Sequence, residues 1–283
     1  MARFTNQAQL RYGNAVANSN IAVGEILEVL SATKTAVGDS YRQNDSITYV
    51  VSIVNSGATP VTGLTLTDNL GEYSFGDGTL LPLDYTEETV NYYVNGTLQA
   101  TPAVAAGTPL TVSGISVPAG GNATIVYETQ TNAFAPLAPG SAITNAATIS
   151  GNGITPVTVQ ETIEVEEEPL LTITKSVSPV PVTENGTLTY TFLIQNSGSA
   201  EADEDTGIVI TDTFNPLLED LTVSYNGATL TEGTDYTYDA ATGEFATIEG
   251  RITIPAGKFI QDPVTGTWNV TPGVGTLTVK GTV

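Results

Sequence analysis

Three residue types that can be joined into an amide recur in matched positions along this sequence. Lysine is scarce, present only at Lys34, Lys175, Lys258 and Lys280, and the first two open matching runs. Read as alternating strands, Lys34 shares a face with Leu30, Ala32 and Ala36; Asp68 shares one with Leu64, Leu66 and Leu70; Asn145 shares one with Ile143, Ala147 and Ile149. Each polar residue therefore falls on the apolar side of its strand. Lys175 repeats the first pattern with Leu171, Ile173 and Val177, and Asp212 repeats the second with Ile208, Ile210 and Phe214. Near the N-terminus, Asn6 is in phase with Phe4, Ala8, Leu10 and Tyr12.

A buried amine, carboxyl and carboxamide are each costly unless they meet. Burial lowers a lysine pKa and raises an aspartate pKa, which brings a neutral amine beside a protonated carboxyl within reach near neutral pH. Those are the forms an amide exchange needs. The amine attacks the Asn side-chain carbonyl, Asp shuttles the proton and polarises the carbonyl, ammonia leaves, and a Lys–Asn isopeptide bond remains. Asp68 and Asp212 are then the proton shuttles, Lys34 and Asn145 an intramolecular pair, and Lys175 and Asn6 an intermolecular one. A fixed, dry pocket supplies most of the rate, because one turnover is enough. The competing reading is a set of buried ion pairs with a hydrogen-bonded Asn and no covalent bond.

Strands must position these groups. Runs such as Ser46-Ile-Thr-Tyr-Val-Val-Ser-Ile-Val54 and Thr187-Leu-Thr-Tyr-Thr-Phe-Leu-Ile194 alternate with period two, and Asn-Gly, Pro-Ala-Gly and Ser-Gly turns separate them. No segment has a helical period. The pattern predicts an all-β chain of two tandem immunoglobulin-like β-sandwiches with an N-terminal arm.

The tandem arrangement is visible as an internal repeat. From Lys34 and from Lys175 the same landmarks follow in order: Tyr49 and Tyr190, Asn55-Ser-Gly57 and Asn196-Ser-Gly198, Leu66-Thr-Asp68 and Ile210-Thr-Asp212, Val117-Pro-Ala-Gly120 and Ile254-Pro-Ala-Gly257. The boundaries are 1–29 for the arm, 30–168 for the first domain and 169–283 for the second. The junction Glu164-Val-Glu-Glu-Glu-Pro169 is short, acidic and closed by proline, which leaves little slack.

Aligning Leu277 with Ile125 leaves the second copy without a counterpart of the first copy's last strand, Ala142-Ile-Thr-Asn-Ala-Ala-Thr-Ile-Ser150. That strand has a likeness in the arm, where Phe4-Thr-Asn-Gln-Ala-Gln-Leu10 reproduces Ile143-Thr-Asn-Ala-Ala-Thr-Ile149, and Leu27-Glu-Val29 is the match for Ile163-Glu-Val165. A sandwich without its last strand leaves backbone groups unpaired and its core open. The arm joins the first copy through only a few residues, so it is expected to fill the second copy of another molecule. Such a heterologous contact builds an open filament unless its rotation closes a ring. Charge favours the docking: residues 1–24 hold Arg3 and Arg11 and no acid, in a chain of net charge −22. Folding back into the same chain, as in a permuted domain, and an unstructured tail are the alternatives.

Composition excludes much else. With no Cys and no His, the commonest zinc, haem and copper ligands, thiol nucleophiles, His general bases and disulfides are absent, and no cofactor is expected. Eight basic against 30 acidic residues repel nucleic acid and anionic lipid. The start MARFTNQAQLRYG has no signal-peptide pattern, and no run approaches the ~18 apolar residues of a membrane span. A turnover enzyme is not expected. The acidic run Glu201-Ala-Asp-Glu-Asp205 could offer carboxylates to calcium at Asp203 and Asp205, but it lacks the spacing of a known loop and reads as a solvated turn. Asn95-Gly-Thr97 and Asn185-Gly-Thr187 read as hairpin turns, and Trp268 and the Tyr-rich segment 234–238 as packing.

The stretches Thr174-Lys-Ser-Val177, Leu188-Thr-Tyr-Thr-Phe-Leu-Ile-Gln-Asn-Ser-Gly198 and Ile210-Thr-Asp-Thr-Phe214 together resemble the bacterial surface repeat known as domain of unknown function eleven. The Thr-Asn-x-Ala segments look like that repeat's last strand. This resemblance implies an extracellular, immunoglobulin-like sandwich. The Lys/Asp/Asn set also resembles the self-forming isopeptide sites of Gram-positive pilins and adhesins. It implies a bond between Lys34 and Asn145 beside Asp68, and a Lys175–Asp212 pair awaiting an Asn that a neighbour's Asn6 can supply. The expected role is a homopolymeric, pilus-like or spore-appendage subunit at a cell or spore surface. A monomeric adhesin or ligand-binding module is the rival.

Overall fold

A computed structural model describes residues 2–26, 28–151 and 153–283. Leu27, part of the match drawn between the arm and Ile163–Val165, lies outside them. The chain divides into two compact units, one of Met1–Asp39, Asn44–Asn132 and Thr144–Ile163, the other of Ser40–Gln43, Ala133–Ile143 and Glu164–Val283. Apart from a short 3-10 turn at Glu204–Thr206, the regular structure is β-strand, as the period-two pattern requires. Among the described residues no helix is long and apolar enough to cross a membrane.

The arm is a hairpin. Strands β1 (Ala2–Asn6) and β4 (Ala22–Ile26) pair antiparallel, with Phe4 opposite Gly24 and Asn6 opposite Ala22. Strands β2 (Gln9–Tyr12) and β3 (Ala15–Asn18) continue the ladder to a tight turn. Neither two-stranded sheet gains a third strand. Phe4, Leu10 and Tyr12 are 53%, 63% and 62% exposed, far more than such side chains in a packed core.

The first sandwich comprises β5 (Leu30–Val37), β6 (Ser40–Tyr41), β7 (Ser46–Asn55), β8 (Val61–Asp68), β9 (Tyr73–Phe75), β10 (Gly78–Leu80), β11 (Leu83–Tyr85), β12 (Asn91–Val94), β13 (Thr97–Leu98), β14 (Ala103–Ala105), β15 (Leu110–Val117), β16 (Asn122–Thr131), β17 (Ala142–Ser150) and β18 (Val157–Val165). One sheet runs β13-β12-β16-β7-β5, and the other runs β14-β15-β8-β17-β18-β6. Alternation sends Tyr49, Val51 and Ile53 of β7, Leu64 and Leu66 of β8, Ile125 and Tyr127 of β16 and Ile149 of β17 inward, each fully buried. The β12–β13 turn is Asn95-Gly96 with φ of 47° and 78°, a conformation that Asn and Gly accept at least cost.

The second sandwich comprises β19 (Leu171–Ser178), β20 (Thr187–Asn196), β21 (Thr211–Thr213), β22 (Glu219–Tyr225), β23 (Ala228–Thr229), β24 (Tyr236–Tyr238), β25 (Glu244–Thr247), β26 (Lys258–Gln261), β27 (Trp268–Thr271) and β28 (Gly273–Thr282). Its larger sheet runs β19-β20-β28-β22-β23, and its smaller one only β21-β25-β24. The β26–β27 hairpin is an insertion that the repeat comparison left unmarked. It separates the Pro-Ala-Gly turn from the last strand, where the first copy passes directly into β16.

Register shows that the copies are equivalent. Lys34 faces Val51, which faces Ile125; Lys175 faces Phe192, which faces Leu277. The paired turn motifs also have one cause. Fully buried Asn55 donates from Nδ2 to the carbonyls of Thr59 and Pro118 at 2.8 and 3.0 Å and accepts from Gly57 N at 2.9 Å. Asn196, equally buried, does the same with Ala200 and Ile254 at 2.8 and 3.4 Å and with Gly198 N at 3.0 Å. One carboxamide thus ties the Asn-Ser-Gly turn to the Pro-Ala-Gly turn in each copy. Removing it leaves buried backbone groups unpaired.

Candidate functional site

In the first sandwich, β5 carries Lys34 on one sheet, while β8 and β17 carry Asp68 and Asn145 on the other. Lys34 Nζ forms a fully buried ion pair with Asp68 Oδ2. The same oxygen accepts from the Tyr127 hydroxyl, and Asp68 Oδ1 accepts from Leu70 N at 2.9 Å. The carboxylate is therefore held at both oxygens. Lys34 Nζ also lies 4.5 Å from the Tyr49 ring centroid and 5.8 Å from that of Tyr127, and the two rings stack 5.8 Å apart.

Asn145 completes the cluster. It lies on β17, whose Ala147 pairs with Asp68. Its side chain is fully buried, and neither its Oδ1 nor its Nδ2 has a hydrogen-bond partner; the buried Tyr49 hydroxyl is likewise unpartnered. The Asn145 carboxamide does act on both tyrosines, drawing their pKa values back from where burial drives them. An unsatisfied buried amide is costly and rare in folded proteins. Here it lies in the same pocket as an amine and a carboxylate.

Burial pushes the Lys34 pKa from 10.5 down to about 8, with Asp68 and then Glu161 of β18 partly opposing the fall. Neutral amine is thus far more available near neutral pH than on a surface lysine. Burial also drives the Tyr49 and Tyr127 hydroxyls upward, reinforced at Tyr127 by Asp68, so both remain protonated donors.

In the second sandwich Lys175 and Asp212 again form an ion pair, and Lys175 Nζ lies 4.7, 5.4 and 5.5 Å from the ring centroids of Tyr190, Phe214 and Phe192. This face is more open than its counterpart: the Lys175 side chain is 40% exposed, Ile173 54% and Val177 39%. The cause is the smaller sheet. β8 pairs with β15 on one side and β17 on the other, whereas among the described residues β21 pairs with β25 alone. A groove of about 500 Å³ runs across that sheet, from Thr211, Asp212 and Thr213 of β21 over Phe245 and Ala246 of β25 to Thr237 of β24.

The structure gathers Lys34, Asp68 and Asn145 into one pocket and pairs Lys175 with Asp212. Asn6 stands on the exposed arm with Phe4, Ala8, Leu10 and Tyr12. The arm hairpin matches β17–β18 in register. Thr144 and Thr162 hydroxyls meet across that hairpin at 2.9 Å, Thr5 faces Val23 across the arm, and one displacement along the chain relates both pairs. That register puts Gly24 at the position of Ile163. The exchange is steric: the Phe4 ring covers Gly24 so closely that a Cβ there would lie 2.2 Å from it, and Phe4 with Gly24 replaces Ile143 with Ile163.

Tyr127 and Glu161 were missed as site residues by the strand-face reading. Tyr127 shares the inward parity of Ala123 and Ile125, and a buried tyrosine hydroxyl demands a partner, which is the signal available for it. The Asp203 carboxylate accepts from Asp205 N at 3.1 Å and Thr206 N at 3.2 Å, capping the 3-10 turn. Among the described residues no group of three or more acids is placed to hold a metal ion.

No family model matches the chain, and no curated protein matches it. Among solved structures it is similar to BcpA, the major pilin subunit of Bacillus cereus, at 10% identity and TM-score 0.36, over 96% of this chain and 73% of that one. It is also similar to the pilus backbone RrgB from Streptococcus pneumoniae, at 13% identity and TM-score 0.35, over 86% of this chain and just over half, 55%, of that one. The collagen-binding subdomain of the Enterococcus faecalis surface protein ACE matches at 8% identity and TM-score 0.31, over 50% of this chain and 99% of that one. These are likenesses of β-sandwich architecture, and the site rests on its own geometry.

Proposed function

We propose that the protein is the structural subunit of an extracellular filament, a pilus or spore appendage, in which identical copies join head-to-tail by strand donation. The observation that carries this reading is the unpaired edge of β21, matched by an arm hairpin with Asn6 where β17 has Asn145. With Ala8 opposite Asp212, as Ala147 is opposite Asp68, the donated strand brings Asn6 to the Lys175–Asp212 pair of the next molecule. Phe4 and Leu10 then cover apolar side chains that are wet in the single chain, each worth about 1.5–3 kcal/mol when fully buried. Such a contact does not use the same patch on both partners, so it propagates.

Two amide exchanges lock the fibre, one inside the first sandwich and one between subunits. In the first, Lys34 Nζ gives up two protons and bonds to Asn145 Cγ as the Cγ–Nδ2 bond breaks. One proton passes through Asp68 to Nδ2, which leaves as ammonia, and the other remains on Asp68. No oxidant, reductant or cofactor enters. Each site reacts once, so the protein is not a turnover enzyme. Lys175, Asp212 and the neighbour's Asn6 repeat the reaction across the interface.

Boiling assembled fibres in SDS tests this function. A ladder is expected that disappears in Lys175→Ala and in Asn6→Ala, with each bond lowering the mass by one ammonia. A single monomer band from assembled fibres overturns the intersubunit bond. A chain that stays monomeric at high concentration and captures a host ligand overturns the filament in favour of an adhesin.

A further inference from the structure

The two Lys–Asp pairs differ in a hydroxyl that holds one carboxylate and is missing beside the other. Tyr127 on β16 faces Tyr49 on β7, and Val279 on β28 faces Tyr190 on β20, so Val279 occupies the place of Tyr127. The lost aromatic volume is restored by Phe192 and Phe214, which stand where the first sandwich has Val51 and Leu70, and neither carries a hydroxyl. Asp68 is pinned by Tyr127 at one oxygen and by Leu70 N at the other. Asp212 accepts only from Thr213 N on Oδ1, at 2.9 Å; its Oδ2, though set against Lys175 Nζ, has no hydrogen bond.

We propose that Tyr127 is a positioning residue that holds Asp68 for fast proton transfer, and that Val279 leaves the intersubunit reaction slow, so that each subunit locks itself before it locks to a neighbour. This rests on the amide-exchange reading above. A proton carrier fixed in one rotamer needs no search before each transfer, and orientation of this kind accounts for large rate factors. Tyr127 acts through Asp68, whose Oδ2 accepts from its hydroxyl. A slow second step also gives a donated arm time to leave a misregistered groove before the link becomes permanent.

The test follows full-length chain released from cell-free synthesis by time-resolved intact mass, with SDS-resistant dimer followed in parallel. Wild type is expected to lose its first ammonia well before dimer accumulates. Tyr127→Phe keeps the ring and removes only the hydroxyl, and it should slow that first loss by about ten-fold or more. The reciprocal Val279→Tyr should speed dimer formation by a similar factor, a gain that a purely structural role for the ring does not produce. Equal rates for Tyr127→Phe and wild type, or a dimer that precedes the first ammonia loss, overturn the inference while leaving amide exchange intact. A wild-type chain that never loses ammonia removes amide exchange itself, and the inference with it.

Discussion

The two sandwiches present the same lysine and aspartate in the same register, yet one pair is sealed and the other is half open to water. Lys34 has the neighbours that make a buried amine tolerable: a carboxylate, two aromatic faces, and Glu161 across the hairpin from Asn145. Lys175 has the carboxylate and the rings, but among the described residues no strand beside β21 brings it an asparagine. In the arm, Ala22 stands where β18 has Glu161. Chemistry that depends on exclusion of water is thus complete in one copy and conditional on a second strand in the other. Burial separates the two pairs, and so does the exchange of Tyr127 for Val279.

Removing the arm should have the largest effect. Deletion of residues 1–26 is expected to abolish fibres entirely by electron microscopy, whereas Asn6→Ala should leave fibres that dissolve in hot SDS. If the deletion still forms fibres, the groove at β21 has another occupant.

The next largest contrast is between the two aspartates. Asp68→Ala leaves Lys34 buried and unpaired and should cost about 3–5 kcal/mol, visible as a large fall in Tm together with loss of the ammonia-loss product. Asp212→Ala in unassembled protein should cost about 1 kcal/mol or less, because Lys175 is already partly solvated. Equal costs would erase the distinction between the sealed and the open site.

The pH dependence follows from Lys34. Only the neutral amine attacks, and the amine becomes neutral as pH rises through its pKa, so the rate of internal bond formation should climb to a plateau with a midpoint near 8 rather than near 10.5. Stopped-flow pH jumps followed by mass analysis measure this. A midpoint near 10.5 would mean that the amine is wet before it reacts.

The smallest effect concerns the arm's own packing. Gly24→Ala forces the Phe4 ring off its seat and should weaken assembly by about 1–3 kcal/mol in dissociation measurements, while an alanine at Ile163 of the first sandwich acts by leaving a cavity instead. Opposite signs of volume change at equivalent positions would thus both be unfavourable.

The alternation of Lys34, Asp68 and Asn145 among aliphatic residues was readable because strand parity alone sends them inward. The repeat was readable because Asn55 and Asn196 each need both of their turn motifs to satisfy one buried side chain. Tyr127 was not readable as a partner of Asp68, because that contact depends on how β16 registers against β7 and how the two sheets face each other, neither of which is local. The β26–β27 insertion was missed because its Asp-Pro and Thr-Gly turn signals resemble those of every other hairpin in the chain. The exposure of Ile173 and Val177 follows from the missing strand rather than from parity, which says only which way a side chain points.

Lys34 lies on the opening strand of its sandwich and Asn145 on the penultimate one, in opposite sheets. In the proposed fibre, tension would enter this module near residue 30 and leave near residue 165. A covalent tie between these two residues would route the tension straight from β5 to β17, and β6 to β16 would bear none of it. Apart from the residues that build the tie, such as Asp68 and Tyr127, the stretch between the two points would be cargo carried past the strain.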